Sequence, residues 1–134
     1  MVLALFRRRV VSNRPQAVVA LTDAALAAEL ASQLVRAGWH VHLAPSASAA
    51  RRLTARHTAS VVVLSANRTE ETGYLTCAKL QRCKHKPRVI LVADEAKNGR
   101  KEFAAYVGAS DLLAAEAGPR TIAHRVKSLL PVAV

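Results

Sequence analysis

Ser65 occupies the position in this sequence where chemistry is most expected. It follows four apolar residues, 61–64, which predict a strand buried on both faces, and a polar loop comes after it. In a parallel sheet covered by helices, ligands and catalytic groups collect just past the carboxyl ends of the strands. A serine hydroxyl, however, reacts only when a base lies beside it, because its pKa is far above 7. No base–nucleophile pair is visible, so we expect Ser65 to bond nearby backbone and the protein not to be an enzyme.

The other residues that could do chemistry are two histidines, two cysteines and one aspartate. His40 and His42 share one face of a predicted strand, but no third metal ligand accompanies them. Cys77 and Cys83 are six residues apart, about 600° around a helix, and therefore lie on different faces. Asp23 could hold a metal, but capping of a helix explains it as well, and we favour the cap. We expect no metal and no cofactor.

The composition indicates one domain with a core of small apolar side chains. Hydrophobic residues make up 51% of the 134 residues and aromatic residues only 4%. The chain lacks any apolar run of the ~18 residues that a membrane span needs. Residues 1–6 are apolar, but the arginines follow them, whereas a signal peptide carries its charges first. We therefore expect a cytoplasmic protein with a basic N-terminal arm (1–15), a domain (16–131) and a short tail (132–134).

The formal charge of +11, from 20 Lys and Arg against 9 Asp and Glu, attracts polyanions without specifying one. The basic residues form clusters, of which the densest lies between positions 79 and 88. Its candidate anion-binding residues are Lys84, His85, Lys86 and Arg88. No helix-turn-helix, zinc module or aromatic stacking surface accompanies them, so nucleic acid is an alternative partner and not the favoured one.

Five strands alternate with five helices along the sequence. The strands are predicted at 16–21, 39–43, 60–64, 87–93 and 112–114, and the helices at 24–37, 47–55, 73–83, 99–107 and 119–130. For the third helix we expect Leu75, Ala78 and Leu80 to face inward. Such alternation predicts an α/β fold in which helices cover both faces of a parallel sheet.

This arrangement resembles the CheY-like receiver domain of bacterial two-component response regulators over roughly residues 16–130. Gly73 follows Ser65 by eight residues, which is the family's spacing between the phosphoacceptor and the glycine that opens the third helix. Residues 87–97 resemble the fourth strand and its loop, and residues 106–113 resemble the entry into the fifth strand. The resemblance implies a flavodoxin-like three-layer sandwich whose five-stranded sheet has the order 2-1-3-4-5.

The resemblance also implies that the phosphorylation site is degenerate. The family needs an acidic pair for Mg²⁺, an acceptor Asp, a Ser or Thr, and a Lys followed by Pro. In this sequence those positions hold other residues, with a single carboxylate, Asp23, next to the first pair. The positions are Leu21 and Thr22 for the pair, Ser65 for the acceptor, Ala93 for the hydroxyl, and Ala115 and Glu116 for the Lys and Pro. We therefore expect a pseudo-receiver that accepts no phosphoryl group.

In receivers, the fourth helix, fifth strand and fifth helix form the surface for dimers and output contacts. The corresponding candidate interaction residues are Arg100, Phe103, Tyr106, Asp111, Arg120, His124 and Lys127. We therefore expect a phosphorylation-independent signalling module that binds protein partners in two-component-type regulation, with a homodimer left open. Two alternatives stand beside it: a binder of nucleic acid or another anion through the basic clusters, and a small-molecule sensor that uses the vacated acidic pocket.

Overall fold

The computed structural model describes residues 14–95 and 100–130. Most of the predicted arm (1–15), the tail (132–134) and the predicted helix start at Gly99 lie outside the described residues. The strands are β1 (Gln16–Ala20), β2 (His40–Leu43), β3 (Val61–Ser65), β4 (Arg88–Ala93) and β5 (Asp111–Ala114). The helices are α1 (Ala24–Arg36), α2 (Ala47–His57), α3 (Gly73–Gln81), α4 (Lys101–Tyr106) and α5 (Gly118–Ser128), and a 3₁₀ turn (Ala115–Ala117) precedes α5.

All five strands are parallel and lie in the order β2-β1-β3-β4-β5, which confirms the predicted flavodoxin-like α/β fold. The central strand β3 is buried along its whole length, because helices cover both of its faces. Val61 and Val63 face one layer, while Val62 and Leu64 face the other. Alternation along a strand thus builds two cores from one run of apolar residues.

The two cores hold different helices against the sheet. Leu30 and Leu34 of α1 pack with Ile122 and Val126 of α5 on the first face. Helices α2, α3 and α4 cover the second face through small side chains such as Ala50, Cys77 and Ala104. Within residues 14–95 and 100–130, no helix is both long and apolar enough to cross a bilayer.

Three helices begin at side-chain caps next to the carboxyl ends of the strands. Asp23 accepts a hydrogen bond from the Leu26 amide at 3.1 Å, which confirms the predicted cap of α1. Ser46 caps α2, and Thr72 caps α3 in the same way. Each cap satisfies an amide that the helix itself leaves free, and so fixes where the helix leaves its loop.

The inward face of α3 was predicted in part wrongly. Leu80 is buried as expected, but Leu75 is 48% exposed and Ala78 is half-buried. Tyr74 and Cys77 are buried instead, together with Thr76. These residues recur at helical spacing with Leu80, whereas Leu75 lies on the other side of the helix. Apolar character was therefore a poorer guide to burial than position on the helix.

Candidate functional site

The candidate site lies where β1 and β3 end side by side. Ser65 is the last residue of β3 and is only 3% exposed. Its Oγ accepts a hydrogen bond from the Thr22 amide at 2.8 Å and lies 3.3 Å from Thr22 Oγ1. The expectation that Ser65 bonds nearby backbone is confirmed. The two neutral hydroxyls bond to each other, and Ser65 Oγ also accepts from the backbone.

Among the remaining strand-end positions, Leu21, Ala93 and Ala115 carry no charge, and Asp23 carries a single carboxylate. Leu21 is buried in the core beneath α1, and Ala93 is buried at the end of β4. Ala115 is half-buried and opens the 3₁₀ turn after β5. Asp23 is exposed and caps α1. In the described ranges, no group of three His, Cys, Asp or Glu side chains could hold a metal ion.

The loop between β3 and α3 is fixed by an arginine that the sequence did not single out. Arg68 is only 8% exposed, and its Nη1 donates to the Pro45 carbonyl at 3.3 Å and to Glu70 Oε1 at 3.1 Å. The pKa of the Glu70 carboxyl is lowered, first by a hydrogen bond from its own backbone amide and then by the hydrogen bond from Arg68. Arg68 thus ties this loop to the start of α2.

Glu71 lies at the centre of a second group that joins α2 to α3. Its carboxylate accepts from Lys79 Nζ at 2.6 Å and from the Thr76 hydroxyl, and Arg51 Nε is 3.5 Å away. Burial alone raises the pKa of Glu71, but the hydrogen bonds from Lys79 and Thr76, with the charge of Arg51, bring it below its usual value. The group could not be predicted from the sequence, because its members belong to different elements.

Gly73 allows α3 to begin directly against the end of β3. A Cβ atom at this position would lie 2.3 Å from the Ser65 carbonyl oxygen and 2.9 Å from Ala66 Cα. The Gly73 amide donates to the Ala66 carbonyl at 3.1 Å, so the approach is held by a hydrogen bond. The eight-residue spacing from Ser65 to Gly73 therefore has a steric reason in this chain.

Helix α4 carries an exposed row of aromatic and cationic side chains. The Arg100 guanidinium lies 4.7 Å from the centre of the Phe103 ring, and Tyr106 follows with its ring centre 6.3 Å from that of Phe103. Tyr106 is 84% exposed. Beneath this row lies the buried Tyr74, whose ring centre is 5.0 Å from that of Phe103. The Tyr74 hydroxyl accepts a hydrogen bond from the Arg100 amide. We call Arg100, Phe103 and Tyr106 the α4 row.

The other predicted interaction residues lie on β5 and α5. Asp111 is bonded within the chain: Arg125 Nε donates to its Oδ2 at 2.7 Å, and the Leu112 amide donates to its Oδ1 at 2.8 Å. Arg125 was not predicted as a partner of Asp111, because it lies fourteen residues further along the chain. The exposed members of the predicted set on α5 are Arg120, His124 and Lys127.

The candidate anion-binding residues lie at the opposite edge of the sheet, where β4 begins. Lys84, Lys86 and Arg88 are exposed. His85 Nε2 is bonded to the Ala59 carbonyl at 2.9 Å, and because a carbonyl only accepts, Nε2 is the donor. The cluster and the strand-end site are therefore separate surfaces.

His42 has a partner that the sequence did not indicate. Its ring stacks on that of His57, with centres 3.8 Å apart and planes 9° from parallel, and its Nε2 is 2.7 Å from Gln16 Oε1. Burial lowers the pKa of His42 most, and the neighbouring His57 and His40 lower it further. His57 ends α2, whereas His42 lies on β2, so only the fold brings the two rings together.

The two cysteines lie in contrasting surroundings. Cys77 is fully buried, and its thiol lies 3.5 Å from the Val107 carbonyl. Burial raises the pKa of the Cys77 thiol to about 11. Cys83 is exposed at the end of α3. Both cysteines are free.

No family model matches the chain, and no curated protein matches it. Solved structures do resemble it. The Vibrio cholerae chemotaxis protein CheY4 is 16% identical over 87% of this chain and 99% of its own, with a TM-score of 0.79. The receiver domain of Francisella response regulator 1452 is 20% identical over 87% and 96%, with a TM-score of 0.75. The orphan response regulator HP1043 of H. pylori is 14% identical over 87% and 97%, with a TM-score of 0.76. At these identities the similarity shows that the chain has the receiver fold.

Proposed function

We propose that this protein is a signalling module of two-component-type regulation that acts by binding a protein partner and does not depend on phosphorylation. One observation carries the proposal: the hydroxyl at the acceptor position, Ser65, is buried and bonded to the Thr22 amide at 2.8 Å. The proposal fits a cytoplasmic location, where signalling partners of this class are found. It assigns no cofactor and no catalytic residue.

The chemistry of phosphoryl transfer supports this reading. Mg²⁺ prefers carboxylate oxygens in octahedral geometry, yet the strand ends offer hydroxyls, and Asp23 is bonded to the start of α1. A phosphoryl group brings nearly two negative charges, which need a cation beside them. The position that corresponds to the family's Lys is Ala115. A phosphoryl group on Ser65 would therefore meet no compensating charge from these strand-end positions.

The loops around the site are held by the chain's own ion pairs. Arg68 and Glu70 tie the β3–α3 loop to the start of α2, and Glu71 joins α3 to Arg51. These bonds need no phosphoryl group, so they support a single, permanently populated loop arrangement. A module of this kind would present its partner surface at all times.

The α4 row is the surface that best fits a protein partner. Aromatic residues and arginine are enriched among the interface residues that contribute most of the binding free energy, and Tyr106 is 84% exposed. Arg100 is already stacked on Phe103, so part of the ordering cost of binding is met in advance. Arg120 and Lys127 are exposed on α5, which packs on the other face of the sheet. A second copy of the chain and a different protein are both partners that such a surface could accept.

Treatment with acetyl phosphate and Mg²⁺, followed by measurement of the intact mass, tests the proposal. We expect no phosphorylated species under conditions that fully modify a receiver carrying the acceptor Asp, which serves as the positive control. A phosphorylated product whose modified residue maps to Ser65 or Asp23 would contradict the proposal. Phosphorylation of a surface residue far from the strand ends would not be phosphorylation of the acceptor position, and would be consistent with the proposal.

A second candidate function is binding of an acidic macromolecule such as nucleic acid. It is favoured by Lys84, Lys86 and Arg88, which are exposed and form no ion pair within the described ranges. Binding of this kind should weaken steeply with salt, and the triple variant in which all three residues are neutralised should lose it. Unchanged affinity in that variant would exclude the cluster as the binding surface.

A small-molecule sensor at the strand ends is the third candidate function. A small molecule bound there would have to displace the hydrogen bond between Thr22 and Ser65. Because a buried hydroxyl loses about 1–3 kcal/mol when it is left unpaired, the ligand would have to replace that bond. This requirement makes a sensor at this position the weakest of the three proposals.

A further inference from the structure

A groove between α2 and α3 lies away from both the strand ends and the α4 row. It encloses about 220 Å³ and opens near the start of β4. Its lining residues are Arg51, Thr54, Ala55, Leu80, Cys83, Lys84 and His85. The groove has no role in the function proposed above.

The inner wall of the groove is apolar. Leu80 is buried and gives this wall its largest aliphatic side chain. Thr54 is also buried, but its hydroxyl donates to the Ala50 carbonyl at 2.7 Å and is therefore satisfied within its own helix. Ala55 is exposed and has a short side chain, which keeps the groove open. An apolar group that entered would displace water without stripping a polar atom of its partner.

The rim of the groove is cationic and contains no acidic residue. Arg51, Lys84 and the imidazole of His85 all belong to the lining. Arg51 Nε is buried and makes no hydrogen bond, although it lies 3.5 Å from Glu71 Oε2. His85 is held in place at the rim by the hydrogen bond from its Nε2 to the Ala59 carbonyl. The overall charge of +11 reinforces this local preference for an anion.

We infer that this groove is a binding site for a small aliphatic carboxylate. The volume has room for about seven groups of roughly 30 Å³, the share of one water molecule, and a methylene group is similar in size. It is smaller than the pockets that hold drug-sized ligands, so the ligand is small. The tail lies against Leu80 and Thr54, and the carboxylate lies at the rim beside Lys84. Apolar enclosure beside the exposed ammonium group of Lys84 selects this class over neutral lipids and over sugars.

Titration of the full chain with sodium octanoate, followed by amide NMR, tests the inference. We expect saturable shifts at residues of the groove, such as Ala55 and Leu80, with little change at Thr22 or Tyr106. Across a series from butyrate to octanoate, the affinity should rise roughly fourfold for each added methylene. 1-Octanol has the same tail without the charge and should bind more weakly. An affinity for octanol equal to that for octanoate would overturn the assignment of a carboxylate site.

Two substitutions of exposed residues locate the site without disturbing the core. Ala55→Trp fills the groove and should abolish octanoate binding. Lys84→Gln should weaken binding about threefold, as expected for one partly solvated ion pair. Lys86→Gln is the matched control, because Lys86 is exposed in the same loop and does not line the groove. Full binding by Ala55→Trp, or equal losses in the two lysine variants, would refute the inference.

The cysteines give a second readout that needs no variant. Cys83 lines the groove and is exposed, whereas Cys77 is buried with its pKa raised to about 11. Because the thiolate is the form that reacts, iodoacetamide should modify Cys83 and spare Cys77. Octanoate should slow this reaction, and butyrate at the same concentration should not. An alkylation rate unchanged by saturating octanoate would contradict binding in the groove. Neither result bears on whether the strand ends accept a phosphoryl group.

Discussion

Substitution of Gly73 by alanine gives the sharpest test of how α3 meets the end of β3. The new Cβ would lie 2.3 Å from the Ser65 carbonyl oxygen, whereas ordinary contacts begin at 3.4 Å. The start of α3 and the end of β3 would therefore have to separate by about 1 Å if the backbone is to avoid overlap, in the manner of an overpacked core. Both neighbours are main-chain atoms, which cannot swing away as the end of a flexible side chain can.

The expected magnitude follows from two opposing terms. Overpacking of a well-packed site costs about 1–3 kcal/mol, and the rigid surroundings of Gly73 favour the upper end of that range. Alanine is a better helix former than glycine by up to about 1 kcal/mol, which offsets part of the loss. We therefore expect Gly73→Ala to lower the free energy of unfolding by about 2 kcal/mol. For a domain of this size that corresponds to a fall in Tm of about 8 °C.

Urea unfolding followed by circular dichroism measures this loss, and Gly38→Ala is the reference variant. Gly38 has a φ of +95° with open space around it, so its substitution reports backbone strain without overlap. Amide shifts at Thr22 and Ser65 should move in Gly73→Ala and stay in place in Gly38→Ala. If Gly73→Ala were more stable than the unmodified protein, helix propensity alone would govern this position and the close approach would be refuted.

Three further predictions follow from individual contacts. The pKa of His42 is lowered on folding, so below about pH 6.5 the unfolded chain binds more protons than the folded chain. The contribution of His42 to the free energy of unfolding is therefore fully present above about pH 6.5 and is lost as the pH falls through the folded pKa. His57→Ala removes the neighbouring ring and should make this decline in the free energy of unfolding, measured with urea, shallower. An unchanged decline would show that the stacked His57 ring does not contribute to the lowered pKa of His42. Glu71→Gln, which removes the charge that Lys79 bonds, should lower the unfolding free energy by about 1–3 kcal/mol near neutral pH. The loss should shrink as the pH falls through the lowered pKa of the folded carboxyl, because the unmodified protein then loses the same charge. A loss independent of pH would show that the charge is unimportant. Tyr106→Ala should change stability by less than about 0.5 kcal/mol because the ring is exposed, yet it should abolish any self-association that sedimentation velocity detects. Val35→Ala, at an exposed position of α1, should retain that self-association. Self-association that survives Tyr106→Ala would place the interface elsewhere.

Local patterns in the sequence were sufficient to predict the order of elements, while the strand order of the sheet was predicted from the resemblance to receiver domains. The run that ends at Ser65, the cap at Asp23 and the glycine at position 73 each act over a few residues, so their types determine the local structure. The lack of a carboxylate at the acceptor position is likewise visible in the sequence. What the sequence could not give is the bond between Ser65 and Thr22, because 43 residues separate the two.

The side-chain groups around the site were missed for the same physical reason. Glu71 is held by Arg51 of α2 and Lys79 of α3, and each residue alone is an ordinary surface charge. His57 was passed over because its stacking partner, His42, lies on a strand rather than on the same helix. Leu75 was expected inside because it is apolar, yet the burial of Tyr74 and Cys77 fixes the rotation of α3 and leaves it outside. Each case depends on packing between elements, which no local pattern records.

The most direct test of the central proposal is an amide NMR titration with beryllofluoride and Mg²⁺, which together mimic a phosphoryl group on an acceptor carboxylate. The account predicts that the amides of Thr22 and Ser65 stay in place, because the hydroxyls there are bonded to each other and offer no carboxylate. It also predicts no change in the α4 row. Saturable shifts at Thr22 and Ser65 that extend to Tyr106 would contradict the account, since they would show a working acceptor coupled to the partner surface.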